Sequence, residues 1–163
     1  MITNGGSSWR RRTRMAARRA ILAAGAAVFT CQAVPPTFAA QVADEAKKTV
    51  WAGAYSTEQA NRGKVAYRVN CATCHREDMS GSDNAPGLAT PEYIRSWNGR
   101  SVNELFTLIS TFMPLDTPGS LDKKTYLDIT ALVLQANHFP AGSQDLPSDE
   151  ASLQQIGIGP EQK

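Results

Sequence analysis

Cysteine and histidine are scarce in this chain of 163 residues, which has three of the first and two of the second. A structural zinc centre takes four protein ligands, usually with a second Cys or His pair, and no second pair exists. No Asp or Glu occurs in the first 40 residues. No apolar run approaches the roughly 20 residues that a comfortable membrane-spanning helix needs. There is no internal repeat and no strand-like alternation of useful length, so a sheet protein is not expected. Beyond residue 40 no Lys/Arg-rich face interleaves with aromatics, which sets nucleic-acid binding aside.

What is present begins with an N-terminus unlike folded protein. Arg10, Arg11, Arg12, Arg14, Arg18 and Arg19 precede an apolar run from Ala20 to Phe29, then Pro35-Pro36 and Thr37-Phe38-Ala39-Ala40. A basic start, a short apolar middle and small residues at the end predict a secretory signal peptide over 1–40, cleaved after Ala39 or Ala40. The alternative is an uncleaved signal that anchors the chain in a membrane, and Met15 is an alternative start. Without residues 1–40 the chain keeps 11 basic and 15 acidic residues, a net charge of −4 rather than +2. Cys31 falls in the signal, in a poor match to a lipoprotein cleavage box. The mature chain keeps Cys71 and Cys74. In an exported protein two cysteines ordinarily suggest one disulfide.

Residues 41–54 form a polar lead-in, expected to be loosely packed apart from Trp51 and the neighbouring Tyr55. Ser56-Thr57-Glu58-Gln59 has the capping-box pattern. A helix then runs into Cys71, with Ala60, Gly63, Ala66 and Tyr67 spaced by three or four. Residues 76–90 are rich in Gly, Ser, Asp, Asn and Pro and read as loop. Thr90 and Pro91 start a short helix that Gly99 would end. Ser101 to Glu104 is a second capping box, opening a helix with Val102, Leu105, Phe106 and Ile109 on one face. Met113 to Gly119 is loop. Asp122 caps a last helix that carries Tyr126, Ile129, Leu132 and Val133 and ends at Asn137. The tail from Ala141 reads as an extended wrap or disordered chain. The fold class is all-α, with four or five short helices and long loops. So thin an apolar core, with loops that long, is unusual in a compact domain. A large buried cofactor would give helices and loops a common centre.

Cys71-Ala72-Thr73-Cys74-His75 names that cofactor. C-x-x-C-H is the attachment signature of c-type haem. Two cysteines three apart at a helix end reach the two vinyl groups of one porphyrin, and the next histidine lies beneath the iron. A thiol–disulfide oxidoreductase would need a nearby βαβ pattern, and none exists. A disulfide across three residues would be strained and has no use for His75. The iron's other face either takes a ligand or is left open, and the candidate ligands are Met79, Met113 and His138. Met79 lies too near His75 to reach the other side of the ring and is expected at the surface or in a loop. His138 follows the last helix, away from that side. Met113 sits in the loop Thr111-Phe112-Met113-Pro114-Leu115, long enough to cross over the ring. His75 and Met113 are therefore the expected metal ligands, a standard electron-transfer pair that leaves no open iron position.

With these residues in place, the chain resembles the class I c-type cytochromes over Thr57 to Phe139. The resemblance implies a class I cytochrome c fold over residues 56–140, flanked by extensions at 41–55 and 141–163, around one covalently attached haem c. Gly63 and Tyr67 match the family's glycine–aromatic pair on the first helix, and Ile129 and Leu132 match the positions packing across them. Ala85-Pro86-Gly87-Leu88 is similar to the family's proline–leucine segment. The Pro86 carbonyl would then accept from His75, Leu88 would pack on the haem, and Trp97 would bond a haem propionate or serve as a plain core aromatic. More narrowly, Val50 to Gln59, the Met113-Pro114 loop and Asn137 to Gly142 resemble small bacterial cytochromes associated with quinone-cofactor (PQQ) dehydrogenases. His138, and Ala131-Leu132 where an aromatic is common, depart from that group.

These likenesses imply a periplasmic, non-enzymatic electron carrier of a respiratory chain. It would take single electrons from a dehydrogenase, a PQQ-dependent one in the narrower likeness, and pass them toward a terminal oxidase. The alternative is a haem redox enzyme, a peroxidase or sulfur-compound oxidase, with a labile distal ligand. A gas sensor lacks an attached signalling domain.

Overall fold

The computed structural model describes residues 48–161. The signal read over 1–40, Cys31 and the first part of the lead-in lie outside the described residues. The described part holds a 3-10 turn at Val50–Ala52 and six α-helices. These are α1 (Thr57–Asn70), α2 (Ala72–His75), α3 (Pro91–Arg95), α4 (Val102–Phe112), α5 (Lys123–Ala136) and α6 (Glu150–Gln154). Among the described residues there are isolated bridges but no named strand, in line with the all-α expectation.

Local chemistry sets the helix starts. Ser101 Oγ accepts from the Glu104 N–H at 3.2 Å and the Glu104 carboxylate accepts from the Ser101 N–H at 2.9 Å, so the capping box of α4 is complete. Thr90 and Asp122 cap α3 and α5 through the N–H groups of Tyr93 and Thr125. The box at Ser56 is only half formed. Its hydroxyl accepts from Gln59 at 3.0 Å, but the Gln59 side chain accepts instead from the Leu146 N–H at 2.7 Å. A longer-range donor from the tail won over the local one. Helix α3 ends at Arg95 and continues as turn, and Gly99 closes that turn with φ 82°.

The fold is built on the crossing of α1 and α5. A Cβ on Gly63 would overlap the carbonyl of Asp128, so the backbones touch there. Only glycine leaves the space. Arg62, one residue earlier, locks the same crossing with a two-pronged bond to Asp128 at 3.0 and 3.1 Å. Lys124 Nζ adds a third donor at 2.7 Å. Asp128 is only 7% exposed at its side chain, and a buried carboxylate of this kind requires such donors. The apolar faces of α4 and α5 fill the main core, with Val102, Leu105, Phe106, Ile109, Tyr126, Ile129 and Val133 buried.

Of the two readings of the tail, an extended wrap or a disordered chain, the structure has the wrap, with the short helix α6 set into it. Leu146, Leu153, Ile156 and Ile158 are buried in the main core. Its backbone also ties three segments together. Gly157 donates to Lys48 and accepts from Val50, Ile156 accepts from Val102, and Ile158 accepts from Gly99. In the lead-in Trp51 is held as expected, its Nε1 donating to Gly159 at 2.8 Å, while Val50 is fully buried where loose packing was expected. Tyr55 donates to the Phe139 carbonyl at 2.5 Å, and Gly53 and Gly142 meet backbone to backbone. Among the described residues no helix is long and apolar enough to cross a membrane.

Candidate haem site

Helix α1 delivers the C-x-x-C-H segment. It stops at Cys71, and the single turn α2 follows, presenting Cys74 to solvent and turning His75 inward. Cys71 and Cys74 are not joined in a disulfide. Burial, and then the neighbouring Cys74, push the Cys71 thiol up to about 11. Cys71 packs against both the main core and a smaller cluster of Tyr67, Met79 and Leu132. It stands where the two apolar bodies meet.

His75 is buried, and its Nδ1 lies 2.8 Å from the Pro86 carbonyl oxygen. A carbonyl only accepts, so Nδ1 carries the proton and donates. Nε2 is left with its lone pair, the form a metal-binding imidazole needs. The Pro86 segment is itself held. Leu88 donates to the Met79 carbonyl at 2.8 Å, and Asn137 Nδ2 donates to the Leu88 carbonyl at 2.8 Å. The sequence reading treated Asn137 only as a helix end. Its amide ties α5 to the loop that orients His75, a contact with no signature in residue spacing.

Met79 lies in the loop after α2, one of the two places expected for it, and is only 5% exposed. The chain folds back after His75, and its flexible thioether fills the gap between Tyr67 and Leu132. His138 is exposed just past α5, with φ 66°.

Met113 is the C-cap of α4 and is half-buried against the main core. Its N–H donates to Ile109 at 3.0 Å, and its carbonyl accepts from the Tyr126 hydroxyl at 2.6 Å. Phe112 and Leu115, on either side, are 58% and 75% exposed. Trp97 is almost fully buried, yet its Nε1–H finds no hydrogen-bond partner among the described residues. The Arg100 guanidinium lies 4.3 Å over its ring. A buried N–H without a partner is costly. A carboxylate-bearing group next to it would satisfy it, with a cation already at hand. These features fit a haem: two cysteines outside any disulfide beside an inward histidine whose Nδ1 is taken by Pro86, a methionine where α4 gives way to a loop, and a buried indole donor.

Residues 60–108 match the cytochrome c family model. No curated protein and no solved structure gives a match. The matched segment holds α1 from Ala60 on, the C-x-x-C-H turn, Pro86, Trp97 and α4 as far as Leu108; Met113 lies beyond it. With the helical architecture, the fold is all-α and of the class I cytochrome c type, with six α-helices among the described residues where four or five were expected. The cofactor of this cytochrome c domain is covalently attached haem c, and the domain is a haem-binding electron carrier.

Proposed function

We propose that this chain is an exported monohaem cytochrome that moves single electrons between a dehydrogenase and a respiratory chain. Cys71 and Cys74 carry the thioethers, and His75 and Met113 are the axial ligands. When bound, the haem supplies a one-electron iron couple. The chain's own residues do the rest. Pro86 holds the His75 proton on Nδ1, keeping Nε2 directed as a ligand. Met113 gives a thioether, which favours reduced iron and raises the potential. Leu88 lies on the apolar cluster beside Cys71, where it excludes water. Trp97 offers its indole N–H to a propionate.

The His75–Pro86 contact, set beside two cysteines outside any disulfide, is the observation that carries this reading. Export rests on the residue pattern of 1–40, and with it a periplasmic location and a mature chain beginning near Gln41. A PQQ-dependent dehydrogenase as donor and a terminal oxidase as acceptor rest on the narrower resemblance. The two lengths that carry much of that resemblance meet in the fold, where Gly142 donates to the Tyr55 carbonyl at 2.7 Å.

The ligand pair is tested by optical spectroscopy. The ferric protein should show the long-wavelength sulfur-to-iron absorption band, and Met113→Ala should abolish it. A wild-type spectrum without the band, or a band that survives the substitution, removes Met113 from the iron. Rapid binding of carbon monoxide to the reduced protein at neutral pH would instead support a haem redox enzyme with a labile ligand.

A further inference from the structure

The loop that follows Met113 is held by a residue that the ligand set does not include. Residues 115–120 are exposed along their whole length. Tyr126, in the first turn of α5, is 3% exposed and reaches both ends of that loop. Its hydroxyl donates to the Met113 carbonyl at 2.6 Å and accepts from the Leu121 N–H at 3.3 Å. Among the described residues the only other donor to the Met113 carbonyl is the Gly119 N–H, at a long 3.4 Å. One phenol therefore closes the loop and fixes the C=O of Met113, while α4 fixes its N–H through Ile109. A backbone pinned at both polar groups has a set φ/ψ, which restricts the rotamers its side chain can take.

We propose that Tyr126 is the positioning residue of the Met113 thioether, holding it in place through the backbone rather than touching the sulfur. This rests on the reading of Met113 as an iron ligand. Without the phenol oxygen the loop keeps its packing but loses its clasp. The thioether then yields more readily to a competing ligand. One neutral hydrogen bond of this kind corresponds to roughly a five- to ten-fold change in an equilibrium.

The test uses the full holoprotein and imidazole as the competing ligand. Four proteins are compared: wild type, Met113→Ala, Tyr126→Phe and Ile156→Val. The last lies in the buried tail and removes one methylene, a destabilisation of similar size without a bond to the loop. Tyr126→Phe should bind imidazole roughly five- to ten-fold more tightly than wild type, lose the sulfur-to-iron band at lower temperature, and show a lower midpoint potential. Ile156→Val should melt earlier yet bind imidazole as wild type does. If Tyr126→Phe binds imidazole no more tightly than Ile156→Val, the positioning role is overturned while Met113 stands as ligand. If wild type itself lacks the band, Met113 is not the ligand and the role of Tyr126 falls with it.

Discussion

Replacing Gly63 by alanine is expected to destabilise the protein, although alanine is the better helix former. Gly63 lies inside α1, where alanine gains about 1 kcal/mol from helix propensity alone. Against that gain stands the crossing with α5. The new Cβ would overlap the carbonyl carbon and oxygen of Asp128 and crowd the nitrogen of Ile129. These are backbone atoms, and no rotamer change moves them aside. The two helices must separate, and overpacking of a tight interface costs typically 1–3 kcal/mol. The upper end applies here, because separation also stretches the two-pronged Arg62–Asp128 bond at 3.0 and 3.1 Å. The balance is a loss of about 2 kcal/mol, or roughly 5–10 °C in Tm for a domain of this size. Thermal unfolding of wild type and Gly63→Ala, followed by far-UV circular dichroism, measures it. A Tm equal to wild type or higher would mean that α1 and α5 do not approach as closely as described.

Two more outcomes follow from the tail. The Ser56 hydroxyl, and then Arg62, hold the Asp145 carboxyl below the usual carboxylate value of 3.8. A depressed folded pKa gives stability that is present above 3.8 and is lost as pH falls through the folded value. As pH falls below about 4, wild type should therefore lose stability more steeply than Asp145→Asn; equal slopes would show that the clamp contributes nothing. Truncation after Gly142 removes Leu146, Leu153, Ile156 and Ile158 from the core. At about 1.5–3 kcal/mol for each buried aliphatic side chain, the loss rivals the whole stability of a typical domain, about 5–15 kcal/mol. The truncated chain should fail to give a cooperative melt, and a wild-type melt would refute the structural role of the tail.

The helices were readable from sequence where short-range chemistry decides them. Ser101 with Glu104, Thr90 with Pro91, and Asp122 each mark a start that the structure keeps. The C-x-x-C-H turn and the loop after α4 were readable for the same reason, since their signals lie within a few residues. The Gly63 crossing came from a family pattern rather than from spacing. Interactions made across the chain were not readable. Gln59 caps a tail residue 87 positions away rather than its own helix. The four aliphatic residues of the tail are too far apart to show a period, and only the folded chain collects them. Tyr126 and Asn137 fit their expected places on α5, but their polar atoms reach loops at Met113 and Leu88 that no periodicity connects to them. Met79 lies in the loop expected for it, but its burial was not readable, because a loop residue is usually exposed, whereas this loop lies against α1 and α5.

Covalent attachment of the haem is tested most directly by extracting the purified mature protein with acid acetone and weighing what remains. Retention of the pigment, with an intact mass equal to one chain plus one haem, is expected for wild type. A Cys71→Ala, Cys74→Ala double variant should release any haem it holds. Free haem in the acetone layer from wild type, or a colourless protein at the mass of the bare chain, would contradict the assignment of Cys71 and Cys74 as its anchors.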